Sequence, residues 1–182
     1  MYQQVTSART TGLETKFVSL ADLTEAEKPG RIEGYASRFG EPDQSGDVVM
    51  PGAFHRSLET LAAAARKVKF LWQHDPATPI GIWNDVQEDE TGLLVSGEIL
   101  TKVAQGSDAL ALMSAGAIDG LSIGYRTVRA EKNPETGGRK LHEIDLWEVS
   151  LVTFPMLPTA RAMLGGDPPD TMEQALAEAL MG

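Results

Sequence analysis

The chain contains no cysteine. That excludes a thiol nucleophile, a disulfide framework and a thiolate metal site. Histidine is scarce: the three present stand far apart, with no His-x-x-x-His or comparable pair, so no metal centre is expected. The acids around Asp43 and Asp47 lack the spacing of a calcium-binding EF-hand loop. Long apolar runs are missing too, and no stretch approaches the roughly 20 residues of a membrane span. Met1-Tyr2-Gln3-Gln4 has neither the basic start nor the apolar run of a signal peptide. Positive charge is in deficit, with 16 Lys and Arg against 26 Asp and Glu, a net charge of -10. This opposes the electrostatic footprint of a nucleic-acid binder. The acids are scattered rather than blocked, which fits solubility more than a basic partner. The glycine-rich stretches lack the strand-to-helix order of a P-loop or dinucleotide fingerprint. The composition therefore points to a soluble globular protein with no cofactor, suited to a reducing cytosol.

At 182 residues the chain suits one domain with a tail. Residues 1–14 are polar and patternless and read as a flexible N-terminus. The domain is expected over 15–164, and 165–182 as a linker with a short C-terminal helix. Strands are expected at Lys16 to Leu20, Arg31 to Ala36, Val68 to Trp72, Ile80 to Val86, Leu93 to Leu100 and Leu121 to Val128, and Lys140 to Phe154 reads as one long strand or two shorter ones. The acidic turn Glu88-Asp89-Glu90-Thr91-Gly92 makes a hairpin of the fourth and fifth. One helix opens at Pro51-Gly52-Ala53-Phe54, with Phe54, Leu58, Leu61 and Ala65 on one stripe and Arg66-Lys67 at its end. A second spans Val103 to Ala115 and stops at Gly116. Pro155 and Pro158 end the sheet region. Strands in consecutive groups, rather than strict alternation with helices, favour an α+β barrel or sandwich of about seven strands.

Three segments carry candidate chemistry: Trp72-Gln73-His74-Asp75, Gly120-Leu121-Ser122-Ile123-Gly124-Tyr125, and the strand through Trp147-Glu148-Val149. A serine, a histidine and an orienting acid are the parts of a nucleophilic hydrolase. Gly120 to Gly124 matches the G-x-S-x-G nucleophile elbow in form only. That elbow needs a helix after the serine, and Tyr125-Arg126-Thr127-Val128 continues as strand. The only later histidine is His142, 20 residues on. A small α/β-hydrolase esterase is therefore opposed by the local sequence. Taken alone, a serine between two strand glycines is ordinary structure, letting another backbone approach. His74 alone is ordinary as a hydrogen-bonded structural residue, placed at a sheet edge by the Asp75-Pro76 step.

Together the segments resemble the prohead maturation proteases of tailed bacteriophages. The matching stretches are Ile32-Glu33-Gly34-Tyr35-Ala36, Asp43 to Phe54, Trp72-Gln73-His74-Asp75, Pro79-Ile80-Gly81, Gly120 to Tyr125, and Glu148 to Pro155. They stand in order over roughly residues 31 to 162. The resemblance implies a serine endopeptidase with the fold of the herpesvirus assembly proteases, a bent, antiparallel-rich β-barrel flanked by helices. It makes Ser122 the nucleophile and His74 the general base and acid. Glu148 is the expected orienting acid, since a carboxylate in an apolar strand needs a partner. The herpesvirus relatives use a second histidine there, which keeps His142 as the rival. Backbone N–H groups are the expected oxyanion donors, and the segment after Pro158, including Arg161, is a candidate by analogy.

The implied substrate is scaffold protein, or the scaffolding segment of the major capsid protein, cleaved inside the assembling procapsid in the bacterial cytoplasm. The tail from Gly165 reads as a self-cleavage or scaffold-interaction segment, and a homodimer is implied by analogy. The competing expectation is a non-catalytic capsid-assembly module with the same fold. It predicts no self-trimming and no cleavage of a co-expressed capsid protein.

Overall fold

The computed structural model describes residues 30–165. The expected strand at 16–20 and helix at 171–181 lie outside these residues. In order, the chain forms β1 (Arg31–Arg38), β2 (Val48–Val49), α1 (His55–Ala63), β3 (Lys69–Trp72), β4 (Asp75–Glu88), β5 (Gly92–Ile99), α2 (Ala104–Ser114), β6 (Gly120–Lys132), β7 (Arg139–Val152) and β8 (Ala162–Leu164).

The strand β7 organises the sheet. Along one edge it pairs antiparallel with β6, from Gly120↔Val152 to Lys132↔Arg139. Its other edge is shared by two parallel partners, β2 at Lys140 and Leu141, and β3 from Lys69↔Glu148 to Trp72↔Leu151. The sheet continues from β3 through β4, β5 and β1 to β8, antiparallel throughout.

The architecture is α+β and mostly sheet, but the expected barrel is corrected: the ladder does not close. Where β8 approaches the start of β6 there is only an isolated bridge, Gly120↔Arg161, flanked by Leu121 N–H donating to Ala160 O and Ala162 N–H to Asp119 O, each 2.9 Å. Strand β8 is three residues long. Pro155 and Pro158 precede it, and proline has no N–H to extend a ladder. Six of the seven expected strands fall in the described residues, where the sheet has eight; the two added, β2 and β8, are too short to leave a sequence pattern.

Local chemistry explains most boundaries. The β4–β5 hairpin turns where Asp89 Oδ1 accepts from the N–H groups of Thr91 (2.7 Å) and Gly92 (2.9 Å), a side chain closing its own turn. Helix α1 starts at His55 rather than at Pro51, because Gly52 takes a left-handed φ of 84°. Phe54 is its N-terminal flanking residue, and its N–H donates to Glu88 Oε1 at 2.9 Å. The helix ends three residues before Arg66, where Ala65 at φ 50° donates to Ala62 O and Arg66 N–H reaches Leu61 O. Helix α2 ends in the same motif, with Gly116 at φ 69° donating to Met113 O and Ala117 N–H to Leu112 O.

The core draws on β1, β3 to β7 and α2, with α1 packed against it through Leu58 and Leu61. Phe70 stacks on Trp83 at 4.0 Å between centroids, and Trp83 Nε1–H donates to Val149 O at 3.2 Å. Leu121, Val149 and Leu151 are fully buried there. Helix α1 is tied to the same strand by Ser57, whose buried hydroxyl accepts from Leu146 N–H at 2.8 Å.

Candidate active site

Successive strand residues point to opposite faces. With Leu121, Val149 and Leu151 turned into the core, Ser122, Glu148 and Ser150 share the other face. The register pairs Ser122 with Ser150 and Gly124 with Glu148. Residues directly opposite in an antiparallel pair have Cβ atoms about 4.5–5.5 Å apart, so the serines and the acid form one tight patch.

His74 reaches this patch from a turn. Strand β3 ends at Trp72, which pairs with Asp75, leaving Gln73 and His74 as a two-residue hairpin connection. Both have positive φ, 52° and 61°. Positive φ at both central residues is the mark of a type I′ turn, usually filled by Asn and Gly. A left-handed residue with a Cβ costs on the order of 1–2 kcal/mol, so the turn is held from outside. Gln73 N–H donates to Leu151 O at 3.0 Å. Its side-chain amide brackets Thr153, donating to Oγ1 at 2.7 Å and accepting from N–H at 3.3 Å. His74 N–H donates to Ser150 Oγ at 3.1 Å.

This geometry sets His74 Nδ1 2.5 Å from Glu148 Oε1. A carboxylate only accepts, so Nδ1 carries the proton and Nε2 is the basic nitrogen. Glu148 Oε2 accepts from Ser150 Oγ–H at 2.6 Å, so both carboxylate oxygens are engaged. The hydrogen bond to Glu148 raises the His74 pKa above its ordinary value, against the opposing effect of burial. Glu148 is almost fully buried, whereas the His74 side chain is 41% exposed.

The two glycines around Ser122 have separate reasons. A Cβ on Gly120 would lie 2.6 Å from Val152 O and 2.8 Å from Pro155 Cδ, so that glycine admits neighbouring chain. A Cβ on Gly124 would overlap Glu148 Oε1, so that glycine makes room for the acid. The pattern resembles an elbow in sequence, yet β6 continues through it as strand, with a register shift between Gly124 and Tyr125.

The rival histidine lies elsewhere. His142 Nε2 pairs with Glu131 Oε1 at 3.2 Å on the β6–β7 hairpin. It stands six residues before Glu148 on the same strand, about 20 Å away at the strand rise. Ser122 Oγ and His74 Nε2 are not hydrogen-bonded to each other or to another of the described residues. Catalytic hydrogen bonds in substrate-free sites are commonly long and tighten on binding.

Ser122 is only 5% exposed, but it lines a cleft of about 220 Å³. Its lining combines apolar side chains, among them Ile123, Met156 and Leu157, with the charged Asp43, Asp47 and Arg139. Asp47 is held by Arg139 through Nη2 at 2.5 Å and through Nε and the backbone N–H, which lowers its pKa. Tyr125, also in the lining, has its pKa raised, chiefly by burial and then by Asp47 and Asp43, so its phenol stays protonated. The loop carrying these acids is strapped to the segment after β7: Gln44 donates to Met156 O (2.9 Å) and Pro155 O (3.2 Å), and Thr159 donates to Glu41. Asp47 thus braces this loop against Arg139, and Phe54 is core.

The Arg161 guanidinium is occupied by Asp119 Oδ1 at 2.5 Å and Pro158 O at 2.8 Å. Among the described residues no group of three or more His, Asp or Glu side chains converges as a metal site. Sequence reasoning missed Ser150 as a participant. The only signal was its spacing of two from Glu148, which places both on one face of a strand.

A family model described as caudovirus prohead serine protease matches residues 18–174. The prohead protease of Enterobacteria phage HK97 is 36% identical over 130 residues, 70% of this chain and 56% of the relative. The prohead protease of Escherichia phage T5 is 28% identical over 141 residues, 76% of this chain and 64% of the relative. The chain thus spans less than two thirds of the length of either. Among solved structures, the bacteriophage T4 capsid assembly protease gp21 aligns with a TM-score of 0.59 at 16% identity, over 70% of this chain and 85% of that one. At that identity the likeness is one of fold.

Proposed function

Because this chain belongs to the caudovirus prohead serine protease family, we propose that it is a serine endopeptidase of phage capsid maturation, with Ser122 as nucleophile, His74 as general base and acid, and Glu148 as the orienting acid. The 2.5 Å contact between His74 Nδ1 and Glu148, on the sheet face that carries Ser122, is the observation that supports this most.

The chemistry follows from the tautomer. With Nδ1–H held by Glu148, Nε2 takes the proton of Ser122 Oγ as Oγ attacks the scissile carbonyl. The carbonyl becomes a tetrahedral oxyanion, and Glu148 stabilises the imidazolium that has formed. That imidazolium gives its Nε2 proton to the leaving amine as the C–N bond breaks, leaving an acyl-enzyme on Ser122. A water then attacks the acyl carbon while giving a proton to Nε2, and the imidazolium returns that proton to Ser122 Oγ as the acyl C–Oγ bond breaks, which frees the new carboxyl terminus and restores the serine. Ser150 is a poor rival for the nucleophile: it is fully buried, and its proton is committed to Glu148.

The substrate is scaffold protein, or a scaffolding segment of the major capsid protein, and the place of action is the assembling procapsid in the host cytoplasm. The relatives' name, prohead protease, supports the procapsid as the place of action.

A fluorophosphonate probe tests the site directly. The account expects covalent labelling at Ser122, mapped by peptide mass spectrometry and abolished by His74→Ala. Labelling of another residue, or labelling that survives His74→Ala at the same rate, contradicts it.

A further inference from the structure

Ser150 is fully buried and sits where three parts of the site meet. Its hydroxyl donates to Glu148 Oε2 at 2.6 Å and accepts from His74 N–H at 3.1 Å. Across the ladder it faces Ser122. One oxygen atom therefore touches both the acid and the backbone of the turn that carries the histidine.

We propose that Ser150 is a positioning residue for the proposed triad, locking Glu148 and the His74 turn into one unit so that Nε2 is aimed at Ser122. This rests on the reading of Ser122, His74 and Glu148 given above.

Two separate freedoms need removing. The terminal torsion of a glutamate is broad, so nothing intrinsic fixes the plane of the Glu148 carboxylate. With Oε2 held by Ser150, Oε1 is left facing Nδ1. The second freedom is that of the turn. The parallel β3–β7 ladder ends at Trp72↔Leu151, and the last backbone bond from β3 is Gln73 N–H to Leu151 O. The next N–H, that of His74, has left the ladder and is caught by the Ser150 side chain instead. A hydroxyl suits the place because it donates one proton and still accepts. Alanine would leave Oε2 short of a donor and His74 N–H short of an acceptor. A cysteine thiol of similar shape would be a weak substitute on both counts.

The test uses the full chain as wild type, Ser150→Ala, Ser150→Cys and Ser150→Thr. The rate of fluorophosphonate labelling at Ser122 is measured against pH, with thermal unfolding alongside. Misplacement of a catalytic group by about 1 Å costs on the order of a hundredfold. Ser150→Ala and Ser150→Cys are therefore expected to remain folded and label ten- to a hundredfold more slowly, with a moved pH inflection. Ser150→Thr, which keeps the hydroxyl, is expected within a few fold of wild type. Labelling at Ser122 with unchanged rate and inflection in Ser150→Cys overturns the positioning role and leaves the triad standing. A label on another residue overturns the triad, and this inference with it. The His74 Nδ1 proton signal in nuclear magnetic resonance reads the same link without turnover. It is expected to shift in Ser150→Cys, and an unchanged signal contradicts the role.

Discussion

Gly124 and Glu148 are cross-strand partners, and the missing side chain of the one is the space occupied by the carboxylate of the other. The second glycine of the Gly120 to Gly124 pattern is thus a clearance for the acid, not a feature of a strand-to-helix turn.

Gly124→Ala is expected to remain folded, because the atoms in its way all belong to the Glu148 side chain and none to the backbone. The carboxylate must then leave Nδ1 of His74, and labelling or cleavage should fall by at least a hundredfold. A melting curve beside an activity assay checks this. An alanine variant with wild-type activity contradicts the assigned clearance.

The pH dependence has a definite sign. Glu148 raises the His74 pKa in the folded chain, so their pairing contributes stability below about pH 6.5, and that contribution is lost as pH rises through the folded value. Activity runs the other way, because the base must be neutral. The lower limb of the pH–rate profile is therefore expected above pH ~6.5. In Glu148→Gln it should move to lower pH, and the plateau should fall by about 10⁴, the scale seen when an orienting carboxylate becomes an amide. A limb that stays in place contradicts the pairing.

His142 is paired with Glu131 on the far part of the hairpin. His142→Ala is accordingly expected to keep cleavage within about threefold of wild type, measured on the same substrate. A loss comparable to that of His74→Ala would return it to the site.

Ala65 closes α1 at φ 50°, in the position that Gly116 fills for α2 at φ 69°. A residue with a Cβ pays about 1 kcal/mol there that glycine does not. Ala65→Gly is expected to stabilise the domain by up to about that amount, read as a higher Tm. A lower Tm contradicts the assigned cap.

Alternation and turn chemistry made β1, the β4–β5 hairpin, α2 with its Gly116 stop and strand structure at β6 and β7 legible in the sequence, because each is determined locally, whereas the full length of β6 and the continuity of β7 come from their pairing with each other. The short strands β2 and β8 were not, since two or three residues take extended form only by pairing with β7 and β1. The start of α1 was displaced by a single left-handed glycine. Ser122, His74 and Glu148 were named through the family resemblance, and neither periodicity nor spacing distinguishes Glu148 from His142. That choice depends on the register of β3 on β7, which sets Lys69 opposite Glu148 and brings the Gln73-His74 turn back over the strand. The role of Ser150 has the same origin: it exists only once the histidine turn leaves the ladder.

The most direct measurement is intact mass spectrometry of wild type and Ser122→Ala, each co-expressed with the matching capsid protein so that assembly proceeds. The account predicts new capsid or scaffold fragments with the wild type and none with Ser122→Ala, both proteins being folded. Identical fragments from the two would contradict it.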